Sequence, residues 1–314
     1  MKISGFSFVR NGIKLFYPVV EAIKSVLPIV DEFVIAVGNS DDDDNTREEI
    51  EKIGDPKIRI IDTVWKDEDK KGGRIYALET DTAKQACGGD WLFYIQSDEC
   101  IHEKYLQVVQ KRCEELLDDK RVEALVFRYK HFWGDYNHYH NGHGWYPREI
   151  RIIRNIPAIH SWMDAQSFRY FDNYESPLQQ EGTRKLKAAM VDAEIYHYGW
   201  VRPPRIMQNK RVVMDSNYWG KKKVEEMHRN APDEFDYGPM NLLAEFKDTH
   251  PEVMREFINK FDWADKLQAS GKPDKFRAKH NHEKLLYRII SFIEKNLNGG
   301  KQIGEFKNYV LIDV

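Results

Sequence analysis

Two adjacent carboxylates, Asp98 and Glu99, follow closely on an apolar run, Trp91-Leu92-Phe93-Tyr94-Ile95, with Gln96 and Ser97 between. The run reads as a buried strand. In sheets whose strands alternate with helices, ligands bind beyond the carboxyl ends of the strands. Two acids there repel unless a positive charge sits beside them. A hard divalent cation, Mg²⁺ or Mn²⁺, takes oxygen ligands and shares them with a phosphate. The segment therefore points to metal-assisted phosphate chemistry. The competing reading is structural: the acids cap a helix that follows and are favoured by its dipole.

The elements that must position these acids are legible upstream. Residues 3–9 read as a buried strand broken by Asn11-Gly12. Residues 13–27 carry apolar side chains near helical spacing, with Pro18 in the first turn. Strands follow at 33–37 and 58–61, a short helix at 46–53 and an amphipathic helix at 75–86. The alternation predicts an α/β fold: a mostly parallel, doubly wound sheet flanked by helices. After a helix over 102–117 the pattern changes. Strands at 123–129 and 149–154 enclose an aromatic and histidine-rich insert, residues 131–146, and a short strand covers 195–198. Beyond about 205 the chain reads as polar helices, at 221–227, 239–246, 251–257 and 285–297. The expected division is a nucleotide-binding and catalytic unit over 1–204 and a helical extension over 205–314.

The order of strands, helices and acids resembles the GT-A glycosyltransferases, family 2 in particular. The residues that carry the likeness are Ile3-Ser4-Gly5-Phe6-Ser7-Phe8-Val9-Arg10-Asn11, then Val37-Gly38-Asn39-Ser40-Asp41-Asp42, then Gln96-Ser97-Asp98-Glu99 where that family carries its DxD motif. The likeness covers about residues 1–200. It implies transfer of a sugar from a nucleoside-diphosphate donor to a glycan or lipid-linked acceptor, assisted by Mn²⁺ or Mg²⁺ and inverting at the anomeric carbon. Asp98 corresponds to the motif's last Asp, a metal ligand. Gln96 replaces the first Asp; its amide can bond a ribose or a metal-bound water but adds no charge. Ser97 stands between them. Asp41 or Asp42 is implied at the nucleotide, against the reading that four successive acids form a solvated turn. His197, in Tyr196-His197-Tyr198, is implied as a second ligand, against a buried histidine bonded within the sheet.

Around these, Arg10 and Asn11 could face the base and diphosphate. Arg74, at a helix start after Gly72-Gly73, could contact the diphosphate, or form a surface ion pair. Arg202 could hold the diphosphate from its other side. Inverting transfer needs a base for the acceptor hydroxyl; Asp164 is expected, with Glu149 as its competitor. The insert's aromatics suit sugar stacking, and the spacing of His131, His138, His140 and His143 fits no familiar zinc pattern.

Composition narrows the classes. A net charge of −3 supplies no basic field for nucleic acid. Cys87, Cys100 and Cys113 form no CxxC pair and suit reduced thiols. The first residues lack the apolar region of a signal peptide, and no run is long enough to span a bilayer. The expectation is a cytoplasmic protein. The apolar stripe Leu285, Leu286, Ile289, Ile290, Phe292 and Ile293, beside Lys284, Arg288 and Lys295, is expected either to pack on the catalytic unit or to rest on a membrane surface. Two other functions stay open. A sugar-1-phosphate nucleotidyltransferase would carry a richer glycine loop than Phe8-Val9-Arg10-Asn11-Gly12. A non-catalytic binding protein would explain Gln96.

Overall fold

A computed structural model describes residues 1–305 and 307–314, apart from the Lys221 side chain. Its first half is β1 (Ile3–Val9), α1 (Val19–Val26), β2 (Glu32–Val37), α2 (Thr46–Glu51), β3 (Ile58–Asp62), α3 (Arg74–Gln85) and β4 (Trp91–Tyr94). The second half adds β5 (Glu99–Ile101), α4 (Leu106–Glu115), β6 (Ala124–Trp133), β7 (His138–His140), β8 (Arg148–Arg154), β9 (Ile159–Trp162), β10 (Ser167–Phe171) and β11 (Thr183–Trp200). Then come α5 (Pro204–Ser216), α6 (Lys221–His228), β12 (Ala244–Glu245), α7 (Arg255–Ile258), α8 (Leu285–Leu297) and β13 (Tyr309–Leu311).

The main sheet runs β3-β2-β1-β4-β8-β6-β11-β10-β9. Strands β3, β2, β1 and β4 are parallel. Both faces of that half are covered, so Phe33, Val34, Ile35 and Ala36 are all fully buried and the strands read as unbroken apolar runs. This is the GT-A architecture. The second half is mixed: β8 is antiparallel to β4 and β6, whereas β11 is parallel to β6.

Four differences from the sequence reading have physical causes. Helix α1 starts only after Pro18, because Tyr17 precedes a proline and is kept from helical geometry; residues 11–17 instead close a turn, with Leu15 N–H on the Asn11 carbonyl and Tyr17 N–H on that of Gly12. Asp98 and Glu99 do not cap a helix, since Glu99 opens β5, which pairs with β11. The predicted 195–198 strand is the end of the 18-residue β11. The predicted 239–246 helix is a single 3₁₀ turn, Met240–Leu242, followed by β12.

The C-terminal region is bonded into the rest. Strand β13 pairs with β11 and β12 with β7. Trp263 is buried, its ring against Phe16, and donates its indole N–H to the Gly134 carbonyl.

Candidate active site

A cavity of about 350 Å³ opens at the carboxyl ends of β1 and β4. Three strands and a helix converge there. β1 delivers Phe8 and, just past its end, Arg10, the segment after β4 delivers Gln96, Ser97 and Asp98, β11 delivers His197, and α5 delivers Lys210.

The two acids of the motif part company. Glu99 is fully buried and turned into the protein. Its carboxylate takes two bonds of 2.8 Å from the Arg151 guanidinium and one of 2.9 Å from the Tyr129 hydroxyl. Its charge is thus neutralised inside the sheet. Asp98 alone faces the cavity. Its Oδ2 lies 3.7 Å from His197 Nε2 and 3.5 Å from the Lys210 ammonium. Burial alone would raise the Asp98 carboxyl, but His197, Lys210 and Arg202 outweigh it and hold the group well below the usual carboxylate range. Burial, helped by the Arg202 charge, pushes the Lys210 ammonium down to about 7. Lys210 also donates to the Gly199 carbonyl at 2.7 Å.

A neighbour fixes which nitrogen of His197 is free. His131 Nε2 is 2.8 Å from the Tyr146 carbonyl, which can only accept. Burial keeps His131 neutral, so its Nδ1 carries a lone pair. His197 Nδ1, 3.0 Å away, must therefore donate to it. With Nδ1 committed to His131, Nε2 is the His197 nitrogen that faces Asp98 Oδ2 and is open to a metal. Two lone-pair donors facing one another across 3.7 Å suit a cation. Among the described residues no set of three His, Cys, Asp or Glu side chains could hold an ion. A divalent ion would therefore take two protein donors here, Asp98 and His197.

Other expected residues lie elsewhere. Gln96 lines the cavity, but its amide N–H groups are held by the Tyr94 hydroxyl and the Ala165 carbonyl. The Ser97 hydroxyl donates to the Phe8 carbonyl. Arg10 stands at the rim, paired with Asp41 at 3.1 Å. Asn11 is buried and accepts the Asp41 N–H, so it shapes the turn and does not reach the cavity. Asp41 is occupied by Lys14, which lowers its carboxyl against the opposing effect of burial; Asp42 is exposed and outside the lining.

Arg74 is paired with Asp69, and the start of α3 is covered by the backbone of Asn217 and Tyr218, so it offers no open anion site. Arg202 lies beneath the cavity, fully buried, bonded to the Leu15 carbonyl and 4.4 Å from the Tyr17 ring centroid; it acts on the cavity through its field on Asp98 and Lys210. Glu149 is also buried, bonded by Ser167 and Asn308, and cannot meet an acceptor. Asp164 does line the cavity. It sits between Met163 and Ala165, both at positive φ (59° and 65°), and accepts the Tyr218 hydroxyl at 2.7 Å. A strained turn at a pocket wall is where functional side chains are found.

Most of the aromatic insert is core, not sugar platform: Phe132, Trp133 and Tyr136 are buried. Only Trp145 and Tyr146 of the insert reach the cavity, joined by Trp65, Tyr76 and Trp200. Lys210, Asn217 and Tyr218 had no local signature, since they come from the polar helix α5 and the turn that ends it, remote in sequence from every motif.

The model of the family described as Glycosyl transferase family 2 matches residues 16–173. No curated protein matches the chain. The chain is similar to the solved structure of glucosyl-3-phosphoglycerate synthase from Mycobacterium tuberculosis, in complex with Mn²⁺, uridine diphosphate and phosphoglyceric acid. The identity there is 18%, over 41% of this chain and 43% of that one, with a TM-score of 0.29. For TarS from S. aureus the values are 14%, 68%, 39% and 0.38. For the mannosyltransferase PcManGT from Pyrobaculum calidifontis, in complex with GDP-Man and Mn²⁺, they are 15%, 40%, 34% and 0.31. The match spans less than half the length of each of the three.

Proposed function

The chain belongs to glycosyl transferase family 2, and from that membership we propose that it moves a sugar from a nucleoside-diphosphate donor to an acceptor hydroxyl, inverting the anomeric carbon. The single observation that carries this reading is the pairing of Asp98 Oδ2 and His197 Nε2 across 3.7 Å at the cavity floor. Mn²⁺ or Mg²⁺ held there would act as a Lewis acid toward the departing diphosphate. The protein's own part is the rest. Lys210, when protonated, places a positive charge beside the leaving group. Arg10 and Trp65 form the wall on which a base and ribose can lie. Trp145 and Tyr146 give the acceptor sugar flat faces. The acceptor oxygen attacks the anomeric carbon, Asp164 takes its proton, and the bond to the diphosphate oxygen breaks with its electron pair on the leaving group. Tyr218 holds the Asp164 carboxylate in place.

We assign donor binding to residues 1–204, with the region 205–314 closing the cavity through Lys210 and Tyr218. A glycan or lipid-linked acceptor in cell-surface glycan synthesis, handled on the cytoplasmic side, suits the three free, buried cysteines.

Thermal melts with nucleoside diphosphates test the reading, because a ligand that binds only the folded state raises Tm. UDP or GDP should raise Tm with Mn²⁺ present and do so far less without it. Asp98→Asn should abolish the Mn²⁺-dependent part. If no nucleoside diphosphate moves Tm under either condition, the reading is wrong.

A further inference from the structure

Helix α8 packs on the protein the wrong way round. Glu294 is buried, bonded to His143 Nδ1 at 2.8 Å and to the Ile303 N–H. Ser291 accepts the His143 N–H. The polar face thus looks inward. The apolar face looks out: Leu285 is 69% exposed, Leu286 64%, Ile289 49% and Phe292 64%. At helical spacing these side chains fall on one continuous arc. Lys284, Arg288 and Lys295 stand four and seven residues apart, so they line one border of that arc.

We propose that α8 is a membrane-surface helix that lays its apolar arc into an anionic lipid leaflet, with Lys284, Arg288 and Lys295 at the headgroup phosphates. An apolar arc edged by cations is complementary to such a surface on both counts. Thirteen residues make about 20 Å of helix, short of the roughly 30 Å of a bilayer core, so it lies on the membrane and does not cross it. Among the described residues no helix is long and apolar enough to cross.

The position relative to the active site gives the contact a purpose. A second cavity, of about 430 Å³, lies between α8 and the insert, and its wall includes His140, His143, Arg288, Phe292 and Lys295. His140 stacks on Trp145, with centroids 4.4 Å apart, and Trp145 lines the catalytic cavity. The leaflet would therefore lie beside the acceptor end of the site. This deepens the proposed transferase reading by making the acceptor a lipid-anchored hydroxyl, and rests on it to that extent.

Flotation of the full chain with vesicles tests it without donor, metal or turnover. Binding to phosphatidylcholine vesicles containing phosphatidylglycerol should exceed binding to phosphatidylcholine alone by about tenfold or more, and should weaken with salt. L286E/I289E/F292E replaces exposed side chains and should keep the wild-type Tm and its Mn²⁺-dependent nucleotide shift while losing at least about tenfold in vesicle binding. R288E/K295E should erase the preference for the anionic vesicles. The proposal is overturned if the wild type floats with neither vesicle, if the apolar-to-Glu variant binds as well as wild type, or if sedimentation shows a dimer that this variant splits. The last result would give the face to a second copy of the chain. A failed nucleotide shift with intact vesicle binding would instead count against the transferase reading alone.

Discussion

His131 Nδ1 lies 3.0 Å from His197 Nδ1, and the pair is oriented by the Tyr146 carbonyl on the far side of His131. One buried imidazole thus decides which nitrogen of another is left for a ligand. Partners in this position usually matter to metal affinity by 10- to 100-fold. His131→Phe keeps the ring's bulk and removes the acceptor. Mn²⁺ affinity, followed by the loss of the free-ion electron paramagnetic resonance signal, should fall by about that factor. An unchanged affinity would mean that His197 needs no such orientation.

Gly199 shows why the site tolerates no side chain at that point. A Cβ there would lie 2.4 Å from His197 Nε2 and 2.7 Å from Asp98 Oδ2. Real Cβ contacts are never that short, so one of the two donors must move. Gly199→Ala should weaken Mn²⁺-dependent nucleotide binding at least about tenfold, since a shift of 1 Å at such a site is costly. Its far-ultraviolet circular dichroism should stay native. Retained affinity would show that the Asp98–His197 spacing is not what binds.

The ion pair Glu99–Arg151 is fully buried on both sides. Removing one partner leaves the other charged and alone, which typically costs about 3–5 kcal/mol. Urea melts of Arg151→Met should show a loss of that order. The double variant E99Q/R151M should lose clearly less than the sum of the two single changes. Additive losses would mean that the two groups do not neutralise one another.

Acid should loosen the protein from about pH 6.5 downward. Burial, with a smaller push from His102, drives the His250 imidazole down to about 4 against its bond to the Tyr136 carbonyl and the Asp248 charge. Its unfolded value is about 6.5. Between those limits the unfolded chain binds the extra proton, so stability is complete above pH 6.5 and declines as pH falls through 4. The full loss from this group is up to about 3 kcal/mol, at about 1.4 kcal/mol per unit. His282 behaves in the same way. Chemical melts from pH 7.5 to 4 should slope accordingly, and His250→Gln should flatten the slope while lowering the plateau.

What the chain discloses before folding follows from what each residue needs. Strands β1 to β4 are buried on both faces, so composition alone marks them. The acids after β4 stand out because charge after an apolar run is rare. Their division of labour does not, since it depends on Arg151, 52 residues beyond Glu99. Glu149 is bonded inside the protein and Arg202 is buried on the Leu15 carbonyl and the Tyr17 ring, and residue type alone cannot tell them from site residues. Arg74 takes the ion pair that is its alternative reading, whereas Asp41 meets Arg10 and Lys14 from 31 and 27 residues away, pairings that propensity does not foresee. The span of α8 was readable to the residue, but its facing was not: periodicity reports that an apolar face exists and says nothing of what covers it.

Asp164 carries the sharpest test of mechanism. It lines the cavity, and its carboxylate accepts the Tyr218 hydroxyl at 2.7 Å. As the general base it would act only in the transition state, so its loss should lower kcat and kcat/KM together and leave donor binding alone. Asp164→Asn keeps the shape and the bond to Tyr218 and removes the proton acceptor. Turnover should drop by roughly 10²- to 10⁴-fold, with the Mn²⁺-dependent nucleotide shift unchanged. Tyr218→Phe frees the carboxylate without removing it and should cost much less. If Asp164→Asn instead raises KM with kcat intact, the residue binds acceptor and another group takes the proton.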